Sequence, residues 1–338
     1  MAINIPSSTV NSRPANEVDG TATFPLLQLV KIDVSLLINP SSPEGNEELN
    51  KLRIALAIYG CFQAVNHGLE NSIFDELYDV TKMFFSLPLE EKQKYYSSRP
   101  AGDFESFGND QLLVGNQKFD GNDRLYLSLY PEDERRLKSW PENPKEFRKI
   151  LLEYRAKLKK LNELILKAMA KSLNLEENCF LKKYGESPTV LSRFDSYSPC
   201  PGPEITLAAK SHSDASALTF FIQDKEVESL QILLSDQWFK FPIIDPQAIL
   251  VNIGDQVEIM TNGIFKSPIH RFVPTSKTER ITTISTFFTP DKGCVIEPAE
   301  GLIDEKRPRL YKQVVDYAGF FFHEYYNKGN RVIDALKI

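Results

Sequence analysis

Histidine is scarce in this chain, with four among 338 residues. Cysteine is as rare: Cys61, Cys179, Cys200 and Cys294 stand far apart and form no Cys-x-x-Cys pair. That spacing excludes a zinc-finger ligand set and, at this length, argues against a disulfide framework. Free thiols in a reducing compartment, the cytoplasm, are expected. No run reaches the roughly 18 apolar residues of a membrane span, and the most apolar early stretch, Phe24 to Ile38, is broken by Lys31 and Asp33. Residues 1–23 are polar and hold no hydrophobic signal core; they read as a loose arm. Positive charge is not in excess: 40 Lys and Arg against 46 Asp and Glu leave a net charge of −6, with a pI near 5.5. That balance speaks against a nucleic-acid or anionic-membrane partner. No internal repeat or low-complexity tract is present. What remains, at 42% hydrophobic and 25% charged residues, is the composition of a soluble globular protein with a large core.

The first half reads as helical. Leu49, Leu52, Leu56 and Ala57 are spaced for a helix over 47–58. A short strand, Cys61 to Val65, then leads into Asn66-His67-Gly68. Asn71 is placed to cap a helix carrying Phe74, Leu77, Val80 and Phe84, which ends near Leu87-Pro88. Residues 97–122, rich in Gly, Asn, Ser and Asp, suggest a long mobile connection. The clearest helix is 147–173, with Phe147, Ile150, Leu151, Tyr154, Leu158, Leu161 and Ile165 on one stripe. After Pro188 short β-type runs recur at 190–197, 206–212, 218–223, 230–234, 238–241, 249–253, 269–274 and 281–288, which suggests a sandwich or barrel. Asn262-Gly263 is a hairpin signal. The tail from Tyr311 to Asn327 turns helical again.

Two of the four histidines fall in one pattern. His212 and Asp214 stand two apart in Lys-Ser-His-Ser-Asp-Ala, and His270 follows in Lys-Ser-Pro-Ile-His-Arg. On a strand the side-chain period is two, so residues 212 and 214 point to one side. Two imidazoles and one carboxylate are what a non-haem iron(II) site needs if coordination positions are to stay open. Ten residues after His270 comes Arg280, opening the run Arg280-Ile-Thr-Thr-Ile-Ser-Thr-Phe-Phe288. If Arg280 points inward, so do Thr282, Ile284, Thr286 and Phe288. An inward arginine needs an anion, and its planar fork suits a carboxylate. The other reading is a surface ion pair with Glu279 or another acid. Arg193, Asp195 and Tyr197 share one strand parity and can reach a common cavity. His67 reads as a structural, hydrogen-bonded histidine, His323 as a surface or packing residue, and Cys200 as a small core residue.

The ordered set Tyr197-Ser-Pro-Cys-Pro, His212-Ser-Asp214, Leu230-Gln231, Asn252-Ile-Gly-Asp255, Asn262-Gly-x-x-Lys-Ser, His270-Arg and Arg280-Ile-Thr resembles the plant iron(II)/2-oxoglutarate-dependent dioxygenases of specialised metabolism. So do Tyr59-Gly-Cys-Phe-Gln-x-Val-Asn-His-Gly68 and Phe84-Phe-x-Leu-Pro-x-Glu-Glu-Lys92 in the first half. The likeness runs from about Leu29 to Asn327. It implies an α+β fold: a double-stranded β-helix (jelly-roll, cupin-like) core over 181–309, a mainly helical region 24–180 packed on it, and a C-terminal helix and tail, 310–338, over the active site. It implies that His212, Asp214 and His270 hold iron(II). It also implies that 2-oxoglutarate binds the metal at one end and meets Arg280 at the other, with Thr282 and Tyr197 donating hydroxyl hydrogen bonds. In the family's reaction dioxygen is split, 2-oxoglutarate becomes succinate and carbon dioxide, and the substrate is hydroxylated, desaturated, cyclised or demethylated; ascorbate supports such activity. Asp214 argues against halogenation, because the related halogenases leave that position vacant for halide.

The chain departs from the family at three of these positions: Thr282 for the usual serine, Asp195-Ser196-Tyr197 for Asn-Tyr-Tyr, and Ser229 for the glycine before Leu230-Gln231. Asp195 adds a negative charge near a site meant for an anion unless it pairs with Arg193. Pocket candidates are Arg124, Tyr126, Arg193, Thr286, Phe288 and Phe321. Phe288 is either pocket or core; Arg124 pairs an acidic group of a substrate or is solvated. The aromatic run Phe320-Phe321-Phe322, with Tyr325 and Tyr326, caps the site or packs its helix. An aromatic-lined pocket suggests a mostly apolar small molecule as the partner, bound by a monomer. The alternative readings are a non-catalytic binding protein that retains the metal site, and a zinc hydrolase built on the same triad, which would leave Arg280 unexplained.

Overall fold

The computed structural model describes residues 24–96, 105–108, 122–199, 209–273, 280–321 and 331–338. The N-terminal arm, most of the 97–122 connection, Cys200, Glu279, Phe322, His323, Tyr325 and Tyr326 lie outside those residues. In chain order the elements are β1 (Lys31–Asp33), α1 (Pro43–Ile58), β2 (Cys61–Val65), α2 (Asn71–Phe85), α3 (Leu89–Gln93), β3 (Phe107–Gly108), β4 (Asn122–Tyr130) and α4 (Phe147–Ser172). They continue with β5 (Thr189–Tyr197), β6 (Ala209–His212), β7 (Leu218–Ile222), β8 (Leu230–Leu234), β9 (Gln237–Lys240), β10 (Ile249–Ile253), α5 (Asp255–Met260), β11 (Ile269–Phe272) and β12 (Ile281–Thr289).

Local chemistry sets most of these bounds. Ser42 caps α1 by accepting from the Gly45 amide at 3.0 Å, with Pro43 at the first helical position. The α2 cap is Glu70 and Asn71 is already helical, so the capping role expected of Asn71 is not realised. Asn262-Gly263 makes no hairpin. Both residues take positive φ, 51° and 74°, just past the end of α5. There the Gly263 amide donates to the Glu258 carbonyl at 2.8 Å. A pair that tolerates left-handed backbone stops a helix as well as it turns a hairpin. The C-terminal helix starts later than its composition suggests: 311–316 is extended or bent, with a short strand at Val314–Val315, and helix is found over 317–321.

Two sheets form the core. The larger runs β1-β2-β10-β7-β12-β5-β4-β3 and the smaller β6-β11-β8-β9. Phe221, Leu250 and Cys61 of the large sheet pack with Leu230 and Ile232 of the small one and with Phe241. Tyr197 and Ile281 pack with Phe272. These contacts place the sheets face to face as a double-stranded β-helix. The opposite side of the large sheet, through Leu218, Phe220, Phe194, Ile284 and Phe288, joins one cluster with α2 and α4. Phe147 of α4, for example, lies 5.4 Å from Phe194 of β5, ring centre to ring centre. The first half of the chain is therefore not only a helical layer: β2 sits between β1 and β10, and β4 pairs β5 along nearly its whole length.

Candidate active site

His212 and His270 are direct cross-strand partners on β6 and β11, with ring centres 4.4 Å apart. Asp214 lies two residues past the end of β6, in the loop rather than on the strand. Its Oδ1 stands 3.8 Å from His212 Nε2 and 3.6 Å from His270 Nε2. One ligand atom from each of the three residues lies within 4.8 Å of the others.

Neighbouring residues hold these side chains in place. His270 Nδ1 is 3.1 Å from the Pro268 carbonyl, an acceptor, so Nδ1 carries the proton and Nε2 keeps its lone pair for a metal. Thr219 Oγ1 donates to Asp214 Oδ2 at 2.7 Å, leaving Oδ1 turned to the imidazoles. The Asp255 amide donates to the Asp214 carbonyl at 2.8 Å. The Asp255 carboxylate accepts from Ser213 Oγ at 3.1 Å and Tyr317 Oη at 2.7 Å. Burial pushes its pKa up to about 6 against those hydrogen bonds. A Cβ on Gly254 would collide with the Ser216 carbonyl oxygen, so glycine there lets the ligand loop close onto α5. Thr219 and Asp255 were not singled out from sequence as supports; the Asn-Ile-Gly-Asp run was the visible signal for Asp255. The donor set fits a divalent iron that must keep open positions.

Thr219 also shows which side of the large sheet faces the triad. Directly paired residues point the same way, and Thr219 pairs with Phe287 of β12 and Asn252 of β10. Phe287 pairs in turn with Leu191, and Ser285 with Arg193. The inward residues of β12, β5 and β4 thus fall in rows: Ile281, Tyr197 and Asn122; Thr283, Asp195 and Arg124; Ser285, Arg193 and Tyr126; Phe287, Leu191 and Ser128. Leu191, Arg193, Tyr126, Ser285 and Phe287 are only partly buried. Tyr126 and Phe287 lie nearly parallel, 6.4 Å between ring centres.

This pleat corrects the expected facing of β12. Thr282, Ile284, Thr286 and Phe288 point away from the metal, under the helices. Thr286 Oγ1 is hydrogen-bonded to Ser192 Oγ at 2.7 Å, and Phe288 packs edge-on against Phe220. Phe288 also borders a separate cleft of about 310 Å3 between α4 and β5, shared with Tyr130, Arg155, Asn162 and Tyr184. The Thr282 amide donates to Asp224, which also accepts from Tyr78 of α2. Arg280 donates to Ser196 Oγ at 2.9 Å, Ser198 Oγ at 3.0 Å and Asp123 Oδ2 at 3.3 Å. Asp123 in turn holds Lys92 of α3 at 2.9 Å. The ion-pair reading of Arg280 is the one observed, with Asp123 as its acid. Tyr197 does face inward, stacked on Phe272 at 4.0 Å. Arg193 and Asp195 form a two-bond pair, 2.8 and 2.9 Å, so the added acid is matched. Arg124 is buried in the row of Asp195, not solvated. Phe321 packs beside Tyr317 in the helix-side core. His67 is structural: its Nδ1 accepts from the Leu69 amide at 3.2 Å, and burial lowers its pKa.

Two histidines and one aspartate at the mouth of a jelly roll, beside a half-open aromatic wall, define a mononuclear non-haem metal oxygenase. The family model of the 2OG-Fe(II) oxygenase superfamily matches residues 177–290, and that of the non-haem dioxygenase in morphine synthesis N-terminal region matches 30–143. The chain belongs to the iron(II)/2-oxoglutarate-dependent oxygenases. It is 38% identical to codeine O-demethylase of Papaver somniferum, over 83% of this chain and 77% of that protein. It is 31% identical to flavanone 3-dioxygenase 2 of Oryza sativa subsp. japonica, over 94% and 90%. The crystal structure of JOX2 in complex with 2OG, Fe and JA superposes with a TM-score of 0.82, at 26% identity, over 98% of this chain and 95% of that one.

The chain is accordingly an oxidoreductase that uses iron(II) and 2-oxoglutarate. When bound, iron and 2-oxoglutarate supply the activation of dioxygen. The protein's own residues supply the rest. Thr219 and Pro268 fix the ligand atoms, and Leu191, Tyr126 and Phe287 present an apolar surface on the same side of the large sheet.

Proposed function

We propose that the chain oxidises a small, largely apolar plant metabolite of specialised metabolism, by hydroxylation, desaturation, cyclisation or demethylation. The observation that carries this reading is the half-exposed patch of Leu191, Tyr126 and Phe287 on the face that meets the triad. Such a patch suits a flat or hydrocarbon-rich guest. Among the chain's relatives, codeine O-demethylase, thebaine 6-O-demethylase and a flavonoid 7-O-demethylase are named for removing methyl groups, which makes methoxylated aromatics the first class to try. We assign the work to a monomer in the cytoplasm, without nucleic-acid or membrane partners. Supporting this are the acidic balance, the free Cys61, Cys179 and Cys294, and the lack among the described residues of a helix long and apolar enough to cross a membrane. We also keep the division into an arm (1–23), a helix-rich region (24–180), the catalytic core (181–309) and a tail (310–338).

The test is a metabolite screen on iron-loaded protein with 2-oxoglutarate and ascorbate, read by mass. A gain of one oxygen, a loss of two hydrogens or a loss of a methyl group, matched by succinate, is the expected result. No succinate across a broad panel would count against turnover and for a binding role.

A further inference from the structure

We propose that Glu258 and Arg331 are positioning residues for the metal site, and that through them the segment 331–338 sets how tightly the triad holds its metal. The inference rests on His212, Asp214 and His270 holding a divalent metal. Glu258 lies in α5 and is 1% exposed. Its carboxylate accepts from the Ser267 amide at 2.7 Å, from Tyr311 Oη at 2.7 Å and from an Arg331 guanidinium nitrogen at 2.9 Å. Lys266 Nζ stands further off, at 3.9 Å. The same Arg331 nitrogen donates to the Ser267 carbonyl at 3.0 Å. Ser267 is thus held at both its amide and its carbonyl.

The residue that follows gives these bonds their reach. The Ser267–Pro268 peptide is planar, and the proline ring fixes φ. Between the held Ser267 carbonyl and the Pro268 carbonyl one soft torsion remains, the ψ of Pro268. The Pro268 carbonyl is the acceptor for His270 Nδ1 at 3.1 Å, and so sets the ring whose Nε2 stands 3.6 Å from Asp214 Oδ1. The helix reaches the other side of the site too, because its first residue, Asp255, donates its amide to the Asp214 carbonyl at 2.8 Å. Six residues, Asp255–Met260, therefore carry a pin for two of the three ligands. Arg331 works from a docked segment. Val332, Ile333 and Leu336 join the main core, the Leu336 carbonyl accepts from the Lys312 amide at 2.8 Å, and the Ile338 amide donates to the Leu310 carbonyl at 3.0 Å. Without the guanidinium, Glu258 would keep Lys266, whose side chain is 52% exposed, as its one ion-pair partner among the described residues. A buried carboxylate left underpaired is costly, and moving it toward Lys266 would carry the Ser267 amide along.

The test titrates cobalt(II) into the metal-free chain under nitrogen, below the temperature at which any variant begins to unfold. Affinity and the visible d–d absorption of the bound ion are read, so turnover plays no part. Arg331→Met keeps the stem and removes the guanidinium. It should weaken cobalt(II) binding by about tenfold, the usual scale for losing a group that orients a metal ligand, and alter the d–d bands. Arg331→Lys, which keeps the charge, should recover part of the affinity. Arg309→Met is the control: it breaks a partly buried ion pair, 3.3 Å to Glu297, outside α5 and the Ser267 turn. It should leave cobalt(II) affinity unchanged whatever it costs in melting temperature. If Arg331→Met does not fold, Tyr311→Phe, which deletes one bond to Glu258, should show a smaller loss in the same direction. Wild-type affinity and spectrum in whichever of these two variants folds overturns the inference. So does an equal loss in Arg309→Met, which would tie affinity to stability alone. A wild type that binds no cobalt(II) overturns the metal reading itself, and the positioning role with it.

Discussion

Ser192, Phe194, Ile284 and Thr286 lie on one side of the large sheet; Leu191, Arg193, Ser285 and Phe287 lie on the other, and both sets come from β5 and β12. The first set is fully buried beneath α2 and α4. The second is only partly buried and lies on the face that meets Asp214 through Thr219. Neighbouring residues in one strand thus face different surroundings: even-numbered side chains hold helix to sheet, odd-numbered ones lie on the side of the triad. A one-residue difference in facing decides whether a change is felt as stability or as chemistry.

Four substitutions probe that division, from the largest effect to the smallest. Asp214→Ala is expected to abolish turnover and iron retention while the melting temperature stays close to wild type; iron content after desalting and succinate formation report both, and retained activity would refute the metal assignment. On the helix side, Phe194→Ala removes a fully buried ring and should cost about 3–5 kcal/mol of unfolding free energy in a denaturant titration, with the 2-oxoglutarate affinity of the folded fraction unchanged. One row from the metal, Phe287→Ala should do the reverse. The substrate KM should rise by about tenfold or more, with less than about 1 kcal/mol lost from stability, since the ring is only half-buried. Last, Arg280→Gln breaks an ion pair whose arginine side chain is 43% exposed. It should shift stability by less than about 1 kcal/mol, and the shift should shrink further in high salt. A stability loss in Phe287→Ala as large as in Phe194→Ala would erase the contrast between the two faces.

Much of this was legible in the sequence. His212, Asp214 and His270 could be read because few residue types bind iron and the chain has so few histidines. The strands of the second half could be read because β-branched and aromatic runs are cut by turn residues. The facing of β12 could not. In Arg-Ile-Thr-Thr-Ile-Ser-Thr-Phe-Phe each side of the strand receives at least one threonine, an isoleucine and a phenylalanine, so alternation gives no sign of in or out. What sets it is distant: Thr219 against Asp214, and Phe194 against Phe147. Asn262-Gly263 misled for a related reason, since left-handed backbone is wanted at a helix end as well as at a hairpin. Asp195 behaved as the charge argument required, matched by the arginine two residues before it.

The strand Cys61–Val65 carries a consequence for anyone who edits this protein. It is stitched to β10 from Ile249↔Ala64 to Asn252↔Cys61, one strand in from the edge of the sheet and more than 180 positions away along the chain. A fragment begun near residue 177 would bare a row of backbone amides and carbonyls along β10, an invitation to sticky self-association. Chimaeras that exchange amino-terminal portions between relatives must therefore transplant that strand's alignment together with the helices around it.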